Sequence, residues 1–350
     1  MEEEKKLYPL RFVPIEGEEG ESVQIADLGY QDSEVRNGWL AASTISEVMD
    51  MYMDRVVGEG VFGYFGRQFP VLIRRRVIKG LTPLTVHPDD TVAEERFDFL
   101  GKSKLIYVES AGKDSKIYLG FRRDVSAEEF YLGCQDGSVR DLLNGVGLIA
   151  GQHHFIYPGL VYAIEGPATI IEISESSPLD FRLCSWGGSE EQDEFDSELT
   201  LEAAFDFIDF GKYRSRTVSE KASESSRRLT DNKEFTVHEI RLTDPVHIFC
   251  EKFGSFVTYT CVSGEASLQV PGEAGTETFA VSAGETVLVP VEVPDFFLVP
   301  MQKGTVLLET MVEAQDEVDR YINQDADAEL ADSDDSDIED NDVTGSPLLN

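Results

Sequence analysis

Strand-length runs of four to seven residues, each stopped by glycine or proline, recur through most of this chain. They constrain its fold more than any other feature. "KLIYVES" (104–110), "KIYLGF" (116–121), "GQHHFIYPGLVYAI" (151–164) and "ATIIEIS" (168–174) read as such strands. A polar stretch, "SRTVSEKASESSRRLTDNKE" (215–234), interrupts them, and the runs then resume without a helix. "FTVHEIRL" (235–242), "FVTYTCVSG" (256–264), "EASLQV" (265–270), "ETFAVSAGETVLVPVEV" (277–293) and "GTVLLETMV" (304–312) are spaced like a compact barrel or sandwich. A chain of 350 residues has room for two such cores. The sequence therefore predicts a mainly β protein of two domains, with the boundary between residues 215 and 233. The first domain is set at 1–225, the second at 226–313, and an acidic tail at 314–350.

Helices are expected only as insertions in the first domain. "TISEVMDMYMDRVVG" opens with Thr44 three residues before Glu47, the spacing of a capping box, and stops at Gly58. Ser126 and Glu129 repeat the device in "SAEEFYLGCQDGSVRDLLNG", which Gly133 and Gly137 are expected to split in two. "LTLEAAFDFIDF" (199–210) gives a third helix.

Charge and cysteine usage exclude several functions. The formal charge of −37 leaves no basic face for nucleic acid, and no apolar run is long enough to span a membrane. The opening, "MEEEKKLYPLRF", shows no apolar leader, so a cytoplasmic location is expected. Cys134, Cys184, Cys250 and Cys261 form no CxxC pair and read as buried free thiols. The tail, with "DADAELADSDDSDIEDNDVTGSPLLN" (325–350), has no apolar periodicity and is expected to be disordered. It either solubilises the chain or contacts a protein partner.

The candidate pocket begins at "PLTVHPDDTVAEE" (83–95). Residues two apart on a strand share a face, so Thr85 and His87 point one way, as do Lys102 and Lys104. Tyr162 follows a glycine turn, and Glu172 and Arg182 are placed to close the wall. Arg74 and Arg76 share a strand face and bring further positive charge. These cations either hold an anionic ligand or pair with carboxylates such as Asp89, Asp90 and Glu172. His153 and His154 are adjacent, so only one faces inward. His238 and His247 belong to the second domain.

These segments, in order, resemble a known family. "LYPLRF" is similar to the opening strand of class I mannose-6-phosphate isomerases. "FPVLI" with "LTVHPDD" resembles the segment that supplies a glutamine and a histidine to zinc. "GKSKLIYV" resembles the family's Gly-Lys-Thr-Glu-Met-Trp-Tyr strand, and "YPGLVYAIEG" its Pro-Ala-Gly-x-x-His-Ala-Ile-Gly turn. "TIIEIS" and "SELTLEAAFDFIDF" are similar to its later stretches, and "VSAGETVLVP" to a hairpin of its second cupin domain. The resemblance implies two cupin-type jelly-roll barrels.

It also implies a zinc site held by a glutamine, a glutamate and two histidines. At those positions this chain has Thr85, Lys104, His87 and Tyr162, so only His87 is retained. Ser197 stands at the position of the family's substrate-side arginine, while Lys102, Glu172 and Arg182 fall at matching positions. The early Trp-Gly-Gly motif is absent, and the segment "PIEGEEGESVQIADLG" is shortened where it should lie. Zinc needs three or four N, O or S donors at ~2.0–2.3 Å, so no zinc is expected. Three readings follow. One is a non-catalytic or weakly active relative, a pseudoenzyme that binds or senses a phosphorylated hexose. Another is an enzyme, either a zinc-dependent active mannose-6-phosphate isomerase or a cupin using His87, Lys102 and Tyr162 as acid–base groups. The last is a structural partner of an intact isomerase.

Overall fold

The computed structural model describes residues 5–17, 20–184, 201–215, 225–230, 232–249, 254–272 and 275–312. The acidic tail, Cys250 and Ser197 lie outside them. The described residues form two antiparallel double-sheet barrels of the jelly-roll type.

In the first barrel, a six-stranded sheet runs in the order Ile15–Glu16, Glu21–Ile25, Val71–Ile78, Ala168–Glu175, Lys104–Ala111, His153–Ile156. The five-stranded partner runs Phe181–Cys184, Leu84–Val86, Tyr162–Glu165, Lys116–Phe121, Leu143–Gly147. Ile106, Val108 and Ile170 of one sheet meet Ile117, Leu119 and Ile164 of the other inside the barrel. Alternation then fixes what else points inward. Arg74 pairs with Glu172, and Glu172 with Ile106, so all three share the inner face. Leu105, Ile171 and Ile173 point the other way, into a large apolar cluster shared with Val237, Phe256, Leu288 and Leu308. Burial on both faces explains why the adjacent Ile170 and Ile171, which point to opposite sides of the Ala168–Glu175 strand, are both apolar.

The second barrel has a six-stranded sheet in the order Leu10–Arg11, Thr286–Val289, Val257–Ser263, Thr305–Met311, Thr236–Leu242, Ser226–Arg228. Across its core lies the sheet Val246–Phe249, Asp295–Pro300, Glu265–Gly272, Gly275–Ser282. Chain order and barrel membership part company here. Leu10 pairs with Leu288 and Arg11 with Val287, so a strand from the first ten or so residues completes the second barrel.

Helices lie outside the barrels. Thr44 and Glu47 form the capping box on the helix Ile45–Tyr52. That segment breaks earlier than its sequence suggests, at Met53, into the helices Asp54–Val57 and Glu59–Phe65. Ser126 caps the helix Ala127–Asp136, and Gly137 ends it in the left-handed conformation. Gly133 does not split it. It sits inside the helix because a Cβ there would come within 3.2 Å of the Val139 backbone. No helix among the described residues is long and apolar enough to cross a membrane.

Candidate functional site

Two glycines fix the backbone around the polar end of the first barrel. Gly101 packs so tightly on the "HPDD" turn that a Cβ would meet Asp90 N at 2.5 Å. Its own N–H donates to Asp90 Oδ1, and Lys102 N–H donates to the Pro88 carbonyl. The lysine segment is thereby clamped beside His87. Gly159 has φ +83° and donates its N–H to the His87 carbonyl, and three residues later Tyr162 starts its strand.

Side chains from both sheets then converge. Lys104 Nζ donates to Tyr162 Oη at 2.7 Å, and the His87 and Tyr162 rings lie 5.3 Å apart. Thr85 pairs directly with Tyr162, and Arg182 with Thr85, so these three share the barrel-facing side. Arg182 is exposed and stands at the rim, while Lys102, Lys104, His87 and Glu172 are buried. Glu172 accepts ion contacts from Arg74 (3.3 Å), Arg76 (3.1 Å) and Lys104 (3.7 Å). Arg75, between the two inward arginines, points outward to Glu109.

The residue that organises the cluster is Asp180, which was not among the sequence candidates. Its Oδ2 lies 2.9 Å from Lys102 Nζ and 3.4 Å from Arg74 Nη2, and its Oδ1 lies 3.2 Å from His87 Nδ1 and 3.6 Å from Lys104 Nζ. A sequence signal existed. Asp180 precedes Arg182 by two in a strand-like "DFRLC" run, which puts both on one face. Asp89 and Asp90, by contrast, serve helix and loop capping and pair with none of these cations.

Charge states follow from burial and neighbours. Burial pulls Lys104 down, but Asp180 and Glu172 more than offset this, and its pKa is raised. Lys102 is lowered to about 7, chiefly by burial, with Asp180 opposing. Burial works to raise Glu172, yet Lys104, Arg76 and Arg74 hold its pKa well down. Asp180 is likewise held low against burial, chiefly by Lys102 and Lys104. His87 is kept neutral by burial and then by Lys104. Its Nδ1 lies 3.1 Å from the Leu179 carbonyl, which can only accept, so the proton sits on Nδ1. Its Nε2 lone pair is buried without a hydrogen-bond partner.

These residues do not fit a zinc ion. Lys104 brings an ammonium, not an anionic donor, and it is engaged by Tyr162. Tyr162 is pushed further from ionising by burial, and Thr85 Oγ1 donates to the Pro83 carbonyl. Of the four positions Thr85, His87, Lys104 and Tyr162, only His87 offers a free donor atom, where zinc takes three or four. No group of three or more His, Cys, Asp or Glu gathers for a metal elsewhere among the described residues. Of the other histidines, His154 faces inward opposite Ile106 while His153 pairs with Tyr107, and His238 and His247 lie in the second barrel.

Comparison with known proteins agrees with this architecture. No protein-family model matches the chain. Mannose-6-phosphate isomerase of Streptococcus mutans is 24% identical over 225 residues, covering 63% of this chain and 68% of that protein. The crystal structure of mannose 6-phosphate isomerase from Bacillus subtilis superposes with a TM-score of 0.73 at 19% identity, covering 87% of this chain and 99% of that one. A point mutant of phosphomannose isomerase from Salmonella typhimurium gives 0.68 at 13% identity, with 87% and 99% covered. The chain is thus similar in sequence to mannose-6-phosphate isomerases and shares the mainly β, cupin-type fold of the phosphomannose isomerase structures.

Proposed function

We propose that this chain is a mannose-6-phosphate isomerase-like protein that binds a phosphorylated hexose without a metal and turns it over weakly or not at all. One observation carries this reading. At two positions that the resemblance assigns to metal ligands, an ammonium and a phenol satisfy each other, Lys104 Nζ to Tyr162 Oη at 2.7 Å. The pocket thus contains a built-in monovalent cation. An ammonium donates hydrogen bonds and stabilises negative charge, but it has no vacant orbitals with which to hold two substrate oxygens.

The anion of a hexose phosphate has partners here. Arg74, Arg76 and Lys104 are charged, and guanidinium groups suit phosphate oxygens. Asp180 now holds two of these cations together with Lys102, so an incoming phosphoryl group must share or displace its carboxylate. Conversion between an aldose and a ketose phosphate also needs charge stabilisation at the shifting oxygens. A single well-placed group of that kind is worth roughly 2–4 kcal/mol. Losing the metal, and the arginine for which Ser197 stands, lowers the rate by about three to six orders of magnitude.

The test is titration calorimetry with mannose 6-phosphate, in chelator and again with added zinc, alongside a coupled isomerase assay. Binding that is indifferent to chelator and weakens with salt, without turnover, supports the proposal. Turnover near ~10 s⁻¹ that chelator abolishes establishes instead the active, zinc-dependent isomerase.

A further inference from the structure

A cleft of about 480 Å³ shares no lining residue with the charged cluster of the first barrel. It opens between residues 6–11, the loop 37–39 and the hairpin of Glu265–Gly272 with Gly275–Ser282. Its floor is rigid. Tyr8 Oη donates to the Asn37 carbonyl at 2.8 Å and accepts from Leu40 N–H at 2.9 Å. The Tyr8 ring lies so close to Gly38, at φ +64°, that a Cβ there would fall 2.3 Å from it. The Asn37 side chain accepts from Arg11 N–H and donates to the Pro9 carbonyl, which ties the loop to the first strand. Trp39 meets Tyr8 edge-on at 5.9 Å, and Phe279 lies nearly parallel to it at 6.3 Å. Glu277 stands two residues before Phe279 on the hairpin, so both face the cleft. No cysteine lines it. Cys134 and Cys184 are half-buried, not buried as the sequence suggests, and pack on the apolar cluster outside the first barrel.

The charge here runs against the rest of a chain whose formal charge is −37. Lys6 is exposed and forms no ion pair among the described residues. Arg11 shares the Glu285 carboxylate with Arg36, and Arg36 holds it more closely, at 2.6 Å against 3.3 Å. One carboxylate thus answers two guanidinium groups, which leaves Arg11 able to turn toward another anion. Lys5 Nζ rests 5.0 Å over the Trp39 ring. We propose that this cleft binds a nucleoside phosphate, with the base on Trp39 and Phe279, the phosphate on Lys6 and Arg11, and the ribose hydroxyls donating to Glu277. Every base has a flat π face that aromatic side chains recognise, and phosphate oxygens suit guanidinium and ammonium groups. The incoming base displaces the flexible Lys5 side chain, which then joins Lys6 beside the phosphate. A sugar phosphate would leave the rings unused, and a neutral aromatic molecule would leave the cations unused. A nucleic acid fits poorly, because its further phosphates meet an acidic body. The site is independent of hexose-phosphate binding in the first barrel.

The experiment is titration calorimetry of the full-length chain with AMP in chelator, beside adenosine and inorganic phosphate. AMP should bind saturably, and adenosine and phosphate each more weakly, by about tenfold or more. Trp39→Ala should weaken AMP by roughly five- to a hundredfold, the worth of one base stacked on an aromatic ring. Lys6→Glu should weaken AMP while leaving adenosine unchanged, and excess mannose 6-phosphate should not displace AMP. The proposal is overturned by the absence of saturable AMP binding at millimolar concentration, or by AMP affinity that Trp39→Ala leaves untouched. Phosphate that binds as tightly as AMP, or displacement of AMP by mannose 6-phosphate, overturns it as well. If Trp39→Ala fails to fold, Lys6→Glu decides, since it alters an exposed side chain.

Discussion

The first barrel turns Arg74, Arg76, Lys104 and Glu172 inward from three neighbouring strands, and Asp180 reaches the same cluster. The second barrel fills its interior with side chains such as Leu268, Val287, Phe296 and Leu307. Among its inward polar groups, Tyr259 Oη donates to Glu309 at 2.8 Å, and His238 lies 3.4 Å from the same carboxylate. Both barrels satisfy the same strand geometry, so the fold itself does not require ionised groups inside. Burying charge is rarely the most stable way to fill a core, since desolvation offsets much of the attraction. The contrast therefore supports the proposal that the first barrel, and not the second, takes the ligand.

The largest effect should come from Glu172, which answers three cations at 1% exposure. Glu172→Gln strands those charges and should cost about 3–5 kcal/mol in denaturant unfolding. Glu309→Gln in the second barrel should cost only about 1–2 kcal/mol, and equal losses would erase the contrast. Next, Lys104→Met should remove about 1.5–3 kcal/mol of hexose-phosphate affinity, the worth of a charged hydrogen bond. Calorimetric affinity that Lys104→Met leaves unchanged would move the ligand away from this barrel.

A pH effect follows from His154, whose ring burial, and then His153, lowers to about 4. Between pH 6.5 and 4 the unfolded chain binds a proton that the folded chain refuses. Stability contributed by this group is therefore complete above 6.5 and falls as pH drops toward 4, by on the order of 3 kcal/mol. His154→Gln should flatten that part of a stability–pH curve, and an unchanged slope would assign the acid loss elsewhere. The smallest effect concerns Thr44, whose capping box anchors a helix on the cluster shared by both barrels. Thr44→Ala should cost about 1 kcal/mol and lower a single melting transition, so two separating transitions would mean that the barrels unfold apart.

Much of this was legible in the sequence because it depends on local periodicity. The two-residue repeat put Thr85 with His87 and Arg74 with Arg76, and the Thr44 and Ser126 caps are set by spacing alone. The helix Asp90–Phe97 escaped notice although Asp89 accepts from Val92 N–H, because "DDTVAEERF" has almost no apolar face. Asp180 escaped because its role is defined by partners from other strands, over seventy positions away in sequence for Lys102. The strands Val246–Phe249 and Asp295–Pro300 were also missed. The first lies at a sheet edge and its residues are largely exposed, so no buried face patterns it.

The short strand Leu10–Arg11 bears on how the molecule is assembled in time. It pairs with Val287 and Leu288, so the second barrel's outer edge is covered by residues that lie far upstream in the chain, before the first barrel's strands. Closing so long a loop is entropically unfavourable and comes late, after the intervening strands have found their neighbours. Until then the Thr286–Val289 edge is open, and an open edge is a template for pairing with another chain. A fragment beginning at the second barrel would keep that edge permanently uncovered, and self-association is its expected fate. The strand Leu10–Arg11 thus acts as a closing stitch, which ties the second barrel to the chain segment that leads into the first.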